Sequence, residues 1–118
     1  MLPKQYRLKK RTAFAATYKV KHSLYKNGIV LFAGILKTNP DDVTKVGFVV
    51  SKKTHKRAVK RNRLKRLMRE SYRRFLKENC LVNSQKYLSL IFVGHEKALY
   101  KNFEEVNSTI KSLLRELK

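Results

Sequence analysis

Acidic side chains are scarce in this chain, with eight Asp and Glu against 29 Lys and Arg in 118 residues and a formal net charge of +21. A surface of balanced ion pairs is thereby excluded, and solubility alone does not ask for such an excess. Like charges at this density repel one another and weaken the fold unless phosphates or salt compensate them, so the natural counterpart is a polyanion. Cysteine is almost absent: Cys80 stands alone, which rules out an intramolecular disulfide framework. It has no zinc-ligand spacing with His22, His55 or His95, so an incidental thiol is the plain reading. No run of residues approaches the length needed to cross a bilayer, and the opening MLPKQYRLKK has no apolar segment of the secretory kind. A reducing, cytoplasmic setting and no membrane partner are expected.

Internal repeats, low-complexity stretches and domain boundaries are also lacking, so residues 1–118 are expected to form a single domain. A hydrophobic content of 42%, with six Phe and six Tyr, is too apolar for a disordered basic tail. The eight carboxylates are scattered, and only Asp41-Asp42 and Glu104-Glu105 are adjacent. The first pair reads as turn chemistry and the second as helix N-terminal chemistry, so no protein-borne metal site is expected. His55 near Ser51 has no third partner legible in sequence, which argues against a nuclease or hydrolase that works by protein groups alone.

What is present is charge arranged on an amphipathic pattern. Between Lys52 and Lys77 thirteen side chains are Lys or Arg and only Glu70 is acidic, yet Leu64, Leu67, Met68, Tyr72, Phe75 and Leu76 recur at helical spacing. The apolar stripe should pack on a sheet and drive Arg61, Arg63, Lys65, Arg66, Arg69 and Arg73 to the flanks and outer face. Arginine suits phosphate because its planar fork bonds bidentately and can stack on a base. Asn62 adds an amide able to read a base edge or a ribose hydroxyl. The dense single-sign charge, without acids at i±4, is unlike an ordinary solvated helix face.

The remaining pattern predicts a short helix over TAFAATYK with Thr12 as N-cap and Phe14 and Tyr18 on one face. GIVLFAGILK (28–37) and KVGFVV (45–50) read as strands of a β-hairpin across the turn residues Asn39 to Asp42. In the first, Ile29, Leu31 and Ile35 fall on one face and Val30, Phe32 and Leu36 on the other, as in a central strand or one whose second face lines a groove. KYLSLIFVG (86–94) is a further strand. Asn102 to Leu117 is an amphipathic helix with Asn102 and Glu105 in capping-box positions and Phe103, Val106, Ile110, Leu113 and Leu117 as its buried stripe. The expected fold is an α+β sandwich of sheet and helices in the order α-β-β(-β)-α-β-α. The strand at 45–50, the basic helix and the strand at 86–94 would form a split β-α-β unit, right-handed by the general rule.

SKK at Ser51 to Lys53 and RAVKRNRLKRLMRESYR from Arg57 to Arg73 resemble the signature of the protein subunit of bacterial ribonuclease P. The Arg61-Asn62-Arg63 triplet followed by LKRLMR is its most specific part, and the similarity extends to RLKKRTAF near the N-terminus and to VGFVVSKK. Thr54-His55-Lys56 departs from the small, often glycine-containing connection found in part of that family. The resemblance implies a left-handed β-α-β crossover, against the general rule. It also implies a catalytic RNA subunit that removes the 5′ leader of precursor tRNA with Mg2+, assisted by one copy of a protein with no catalytic residues of its own. The positions matching the family's RNA-binding residues are Lys52, Lys53, Arg61, Asn62, Arg63, Lys65, Arg66 and Arg69. Those matching its leader groove are Phe14, Tyr18 and Phe32. Two other classes share the composition: a ribosomal or general RNA-binding protein, and a DNA-binding protein, although the broad basic surface is unlike the focused base reader of a major groove.

Overall fold

The strand that comes last in the chain lies inside the sheet. The computed structural model describes residues 2–78 and 84–117. It contains α1 (Arg11–Lys19), β1 (His22–Lys26), β2 (Ile29–Ala33), β3 (Lys45–Val49), α2 (Ala58–Lys77), β4 (Ser89–Gly94) and α3 (Phe103–Glu116). The strands form one mixed sheet in the order β1-β2-β4-β3. β2 is antiparallel to both β1 and β4, and β3 runs parallel to β4.

This topology corrects the expected hairpin. β2 and β3 are not paired, because β4 lies between them, and Asn39 to Asp42 belong to a longer connection. The actual hairpin joins β1 to β2 through Asn27-Gly28, both with positive φ (48° and 88°), as a right-twisting two-residue turn requires. Gly28 is also packed too closely for a side chain, since a Cβ there would lie 2.7 Å from the Ala98 backbone nitrogen. The β-α-β unit is not split: β3 and β4 are direct neighbours, with Phe48 opposite Phe92. β2 ends at Ala33; beyond it Leu36 makes an isolated antiparallel bridge with Tyr87, and Ile35 and Leu36 are 57% and 61% exposed. Before α1, Leu8 N–H donates to Val46 O (2.9 Å) and Arg7 bridges Val46, so the N-terminal segment runs beside β3.

Side-chain alternation assigns the two faces. Leu31, Phe92 and Phe48 share one cross-strand row, and the α2 side chain Tyr72 packs on it. Phe48 and Phe92 stack with centroids 5.7 Å apart, and Tyr72 lies 5.9 Å from Phe92 at a tilted angle. Leu64, Met68 and Phe75 of α2 and Val106, Ile110, Leu113 and Leu114 of α3 complete the core on this side. The intervening row, Phe32, Ile91 and Gly47, faces the other way, where α1 lies across β2 and β4. The chain thus forms three layers: α1, the sheet, and α2 with α3.

Capping differs from helix to helix. Asn102 Oδ1 accepts from Glu105 N–H (2.9 Å) and Glu105 Oε1 accepts from Asn102 N–H (3.2 Å), the expected capping box. α1 starts earlier than expected, at Arg11, with Lys10 at the cap position, so Thr12 lies inside the first turn and caps nothing. Phe103 is only half-buried and packs beneath the Arg74 guanidinium, 5.4 Å from its ring centre.

Burial pushes the Tyr72 phenol up to about 12, against a hydrogen bond from Gln85 Nε2 that lowers it and with the Tyr6 phenol adding to the rise. In the unfolded chain this phenol ionises near 10. As pH climbs through that window the folded state keeps a proton that the unfolded state has lost, so stability falls with rising pH. Urea unfolding at stepped pH should therefore show Tyr72→Phe losing of order 2 kcal/mol less stability than the wild type between about pH 10 and 12. Equal alkaline losses in the two proteins would show that this phenol is not the titrating group.

Candidate nucleic-acid interface

α2 buries Leu64, Met68, Ser71, Tyr72 and Phe75, which fixes its rotation and therefore the direction of its charges. Asn62 and Arg66 are exposed, while Arg61, Lys65 and Arg69 lie half-buried along its flanks. The helix begins without a side-chain cap and has no acidic residue in its first turn. Its free N–H groups and the positive end of its dipole therefore point to the same region as Lys56 and Arg57, both exposed. Lys52 and Lys53 are exposed in the turn that follows β3.

That turn is closed by Thr54 N–H donating to Ser51 O (3.0 Å), with the Ser51 and Thr54 hydroxyls 3.2 Å apart. His55 Nδ1 accepts from the Arg57 backbone N–H (3.0 Å). Thr54-His55-Lys56 therefore makes a glycine-free turn into α2. His55 and Ser51 serve its geometry and do not bond one another there.

Arg63 departs from the expected outward placement. Its two terminal nitrogens donate to Leu99 O and Lys101 O, each at 3.1 Å, so its guanidinium ties α2 to the segment before α3. Arg73 is engaged by Glu70 Oε2 (3.2 Å) on its own helix. Arg61 Nε is buried with no hydrogen-bond partner among the described residues. The structure thus separates the candidate RNA-binding residues into an open group, Lys52, Lys53, Arg66 and the neutral Asn62, and a partly engaged one. Lys60 at the start of α2 and Tyr100 were not legible as part of this surface, because they meet only through tertiary packing.

On the opposite face of the sheet the three aromatic residues are brought together. Tyr18 meets Phe32 edge-on with centroids 4.9 Å apart, and burial raises the Tyr18 phenol above its usual pKa. Phe14 lies over Gly47, where a Cβ would come within 2.5 Å of its ring. Val30, expected on the groove face with Phe32, is half-buried there together with Val49 and Val93, and Tyr25 is exposed beside them, forming an apolar strip along α1. Tyr25 owes its place there to β1, whose sequence HSLYK alternates too weakly to read as a strand. Among the described residues, no three His, Cys, Asp or Glu side chains converge as metal ligands, and no helix is long and apolar enough to cross a membrane.

A mixed four-stranded sheet with a basic helix between its two parallel strands defines a class of small α+β protein found in solved structures. The ribonuclease P protein of Staphylococcus aureus, 24% identical, shares the fold with a TM-score of 0.74 over 95% of this chain and 96% of that one. That of Thermotoga maritima is 27% identical, with a TM-score of 0.74 over 95% and 97% of the two chains. In sequence, the family model described as Ribonuclease P matches residues 2–118. The ribonuclease P protein component of Clostridium kluyveri is 36% identical over 110 residues, 93% of this chain and 92% of its own length. That of Pseudanabaena sp. is 35% identical over 118 residues, 100% and 96% of the two chains. The chain belongs to the family of bacterial ribonuclease P protein components.

The Phe14–Gly47 approach gives a test of this groove. Gly47→Ala should displace the Phe14 ring and cost roughly 1–3 kcal/mol, the usual range for overpacking. Combined with Phe14→Leu, which removes the ring atoms that clash, the loss in urea unfolding should be clearly less than the sum of the single variants. Additive losses would mean that the ring does not occupy this position.

Proposed function

We propose that this protein assists an RNA-catalysed endonuclease in removing the 5′ leader from precursor tRNA, binding both the catalytic RNA subunit of ribonuclease P and the leader itself. The observation that carries the reading is α2. It is a helix held by one apolar face whose outer side and uncapped N-terminus present basic groups, in a chain of the ribonuclease P family. Lys52, Lys53, Arg61, Asn62, Lys65, Arg66 and Arg69 form the RNA-binding surface. Arg63, which completes the matching motif, contributes mainly by fixing the segment that packs against this helix.

Phe14, Tyr18 and Phe32 form the leader groove. Their edges and the half-open strand face beside them suit an unpaired strand, because stacking tolerates any base. The groove and α2 lie on opposite faces of the sheet, which supports two separate RNA contacts on one small protein. Mature tRNA has no leader, so groove contacts favour precursor over product without requiring a catalytic side chain.

The electrostatic part follows from net charge. Bringing precursor tRNA to a large RNA sets two polyanions against each other, and an interposed cation-rich protein reduces that repulsion while each neutralised phosphate releases counterion. Mg2+ is assigned to the RNA subunit, where it would compensate phosphate charge and activate water for phosphodiester hydrolysis. The protein is a non-catalytic subunit of a hydrolase, acting as a single copy in the cytoplasm.

Multiple-turnover cleavage of 5′-extended precursor tRNA by a bacterial ribonuclease P RNA subunit, at low magnesium with and without the protein, tests this directly. The protein should increase cleavage at the correct 5′ site and cut nothing alone. Arg66→Ala should weaken RNA-subunit binding and reduce its log–log salt slope by about 1. Phe14→Ala should instead lower affinity for leader-bearing substrate by about 5- to 150-fold while leaving mature tRNA unaffected. RNA binding without any gain in cleavage would identify a general RNA-binding protein.

A further inference from the structure

Tyr100 is 70% exposed, yet the backbone that carries it is tied by hydrogen bonds on both sides. Immediately before it, Ala98 and Leu99 are buried. The backbone of Ala98 donates to His95 O (2.9 Å), Leu99 to Glu96 O (3.1 Å) and Lys101 to Ala98 O (3.2 Å). His95 N–H in turn donates to Gly28 O (2.8 Å), linking the segment to the β1–β2 turn. Arg63 then holds the carbonyls on either side of Tyr100, those of Leu99 and Lys101, with one guanidinium. Asn102, two residues on, begins the capped helix α3.

This arrangement is costly to explain as packing, because the ring itself packs on little. Lys60, one turn before Arg63 on the same flank of α2, places Nζ 5.6 Å from the centre of the Tyr100 ring. The ring thus meets a cation while most of the residue remains open to solvent. A fixed backbone, an exposed aromatic face and an adjacent ammonium are the elements needed to stack an unpaired base and neutralise its phosphate. Because the backbone is ordered before binding, little conformational entropy is lost on contact.

We infer that Tyr100 is a stacking platform for an unpaired nucleobase of the RNA subunit, with Lys60 binding the adjoining phosphate and Arg63 acting as a positioning residue for the platform. The inference rests on the proposed RNA-binding role of α2 and extends that surface to the segment before α3. It assigns different physical contributions to neighbouring residues: a nonionic one to Tyr100 and a counterion-releasing one to Lys60.

The test is equilibrium binding of the full chain to a bacterial ribonuclease P RNA subunit at several salt concentrations, with thermal melts to confirm that each variant is folded. Tyr100→Leu should weaken binding about 5- to 150-fold with an unchanged salt slope, whereas Tyr100→Phe should stay within about twofold of wild type. Lys60→Gln should reduce the slope by about 1. The chain has no tryptophan, so Tyr100→Trp supplies a single indole whose fluorescence should change when RNA binds. If wild type binds the RNA and Tyr100→Leu binds equally well, the platform is wrong while the RNA-binding role stands. If Tyr100→Phe loses as much as Tyr100→Leu, the hydroxyl makes the contact and stacking is excluded. If the wild type does not bind the RNA subunit, the RNA-binding role itself fails, and the platform with it.

Discussion

The packing of Tyr72 on Phe48 and Phe92 is the constraint from which the rest of the molecule follows. It joins α2 to the two parallel strands, β3 and β4, that this helix connects. Without that apolar attachment, nothing would favour a compact arrangement of a helix as basic as this one, since its charges repel each other and the rest of a chain with a net charge of +21. Attachment through Leu64, Met68, Tyr72 and Phe75 also sets the helical phase, and with it which cations face solvent. Core and candidate interface are two sides of one helix, so a change in how the helix packs would re-aim its cations.

The few carboxylates make little difference to this balance. Lys26 meets Glu116 at 2.8 Å, Arg73 meets Glu70 at 3.2 Å and Lys101 meets Glu105 at 3.8 Å, all at least partly exposed and individually weak. Arg63 is of a different kind, because it satisfies two backbone carbonyls and joins α2 to the approach to α3. Its charge persists, but its freedom to follow a ligand does not. Motif membership and mobility are therefore separate properties, and a basic signature can contain structural members.

Helical features were legible in sequence because they are local. The capping box at Asn102 and Glu105 and the stripe Val106, Ile110 and Leu113 appear where the pattern put them. Strand pairing was less legible because it is decided across the chain. Asn39 to Asp42 carry turn chemistry but join strands that do not pair, whereas the Asn27-Gly28 hairpin is hard to read because HSLYK alternates weakly. Thr12 has the right side chain for a cap but lies within α1. Of the candidate site, Tyr18 and Phe32 do meet, and Phe14 joins the same face across Gly47. The bonds of Arg63 and the ring contact of Lys60 could not be read, since both reach across more than thirty residues of chain. Cys80 lies outside the described residues.

The position of β4 also governs the order in which the fold can be assembled. Residues 89–94 fill the gap between β2 and β3, so until they arrive the sheet consists of the β1–β2 hairpin and a separate β3, each with an unpaired inner edge. A chain emerging from the ribosome exposes the whole of α2 before the strand that completes its packing surface has been made. The most basic part of the protein is therefore made while only β3 offers it a packing surface, and the contacts that complete the sheet are long-range ones.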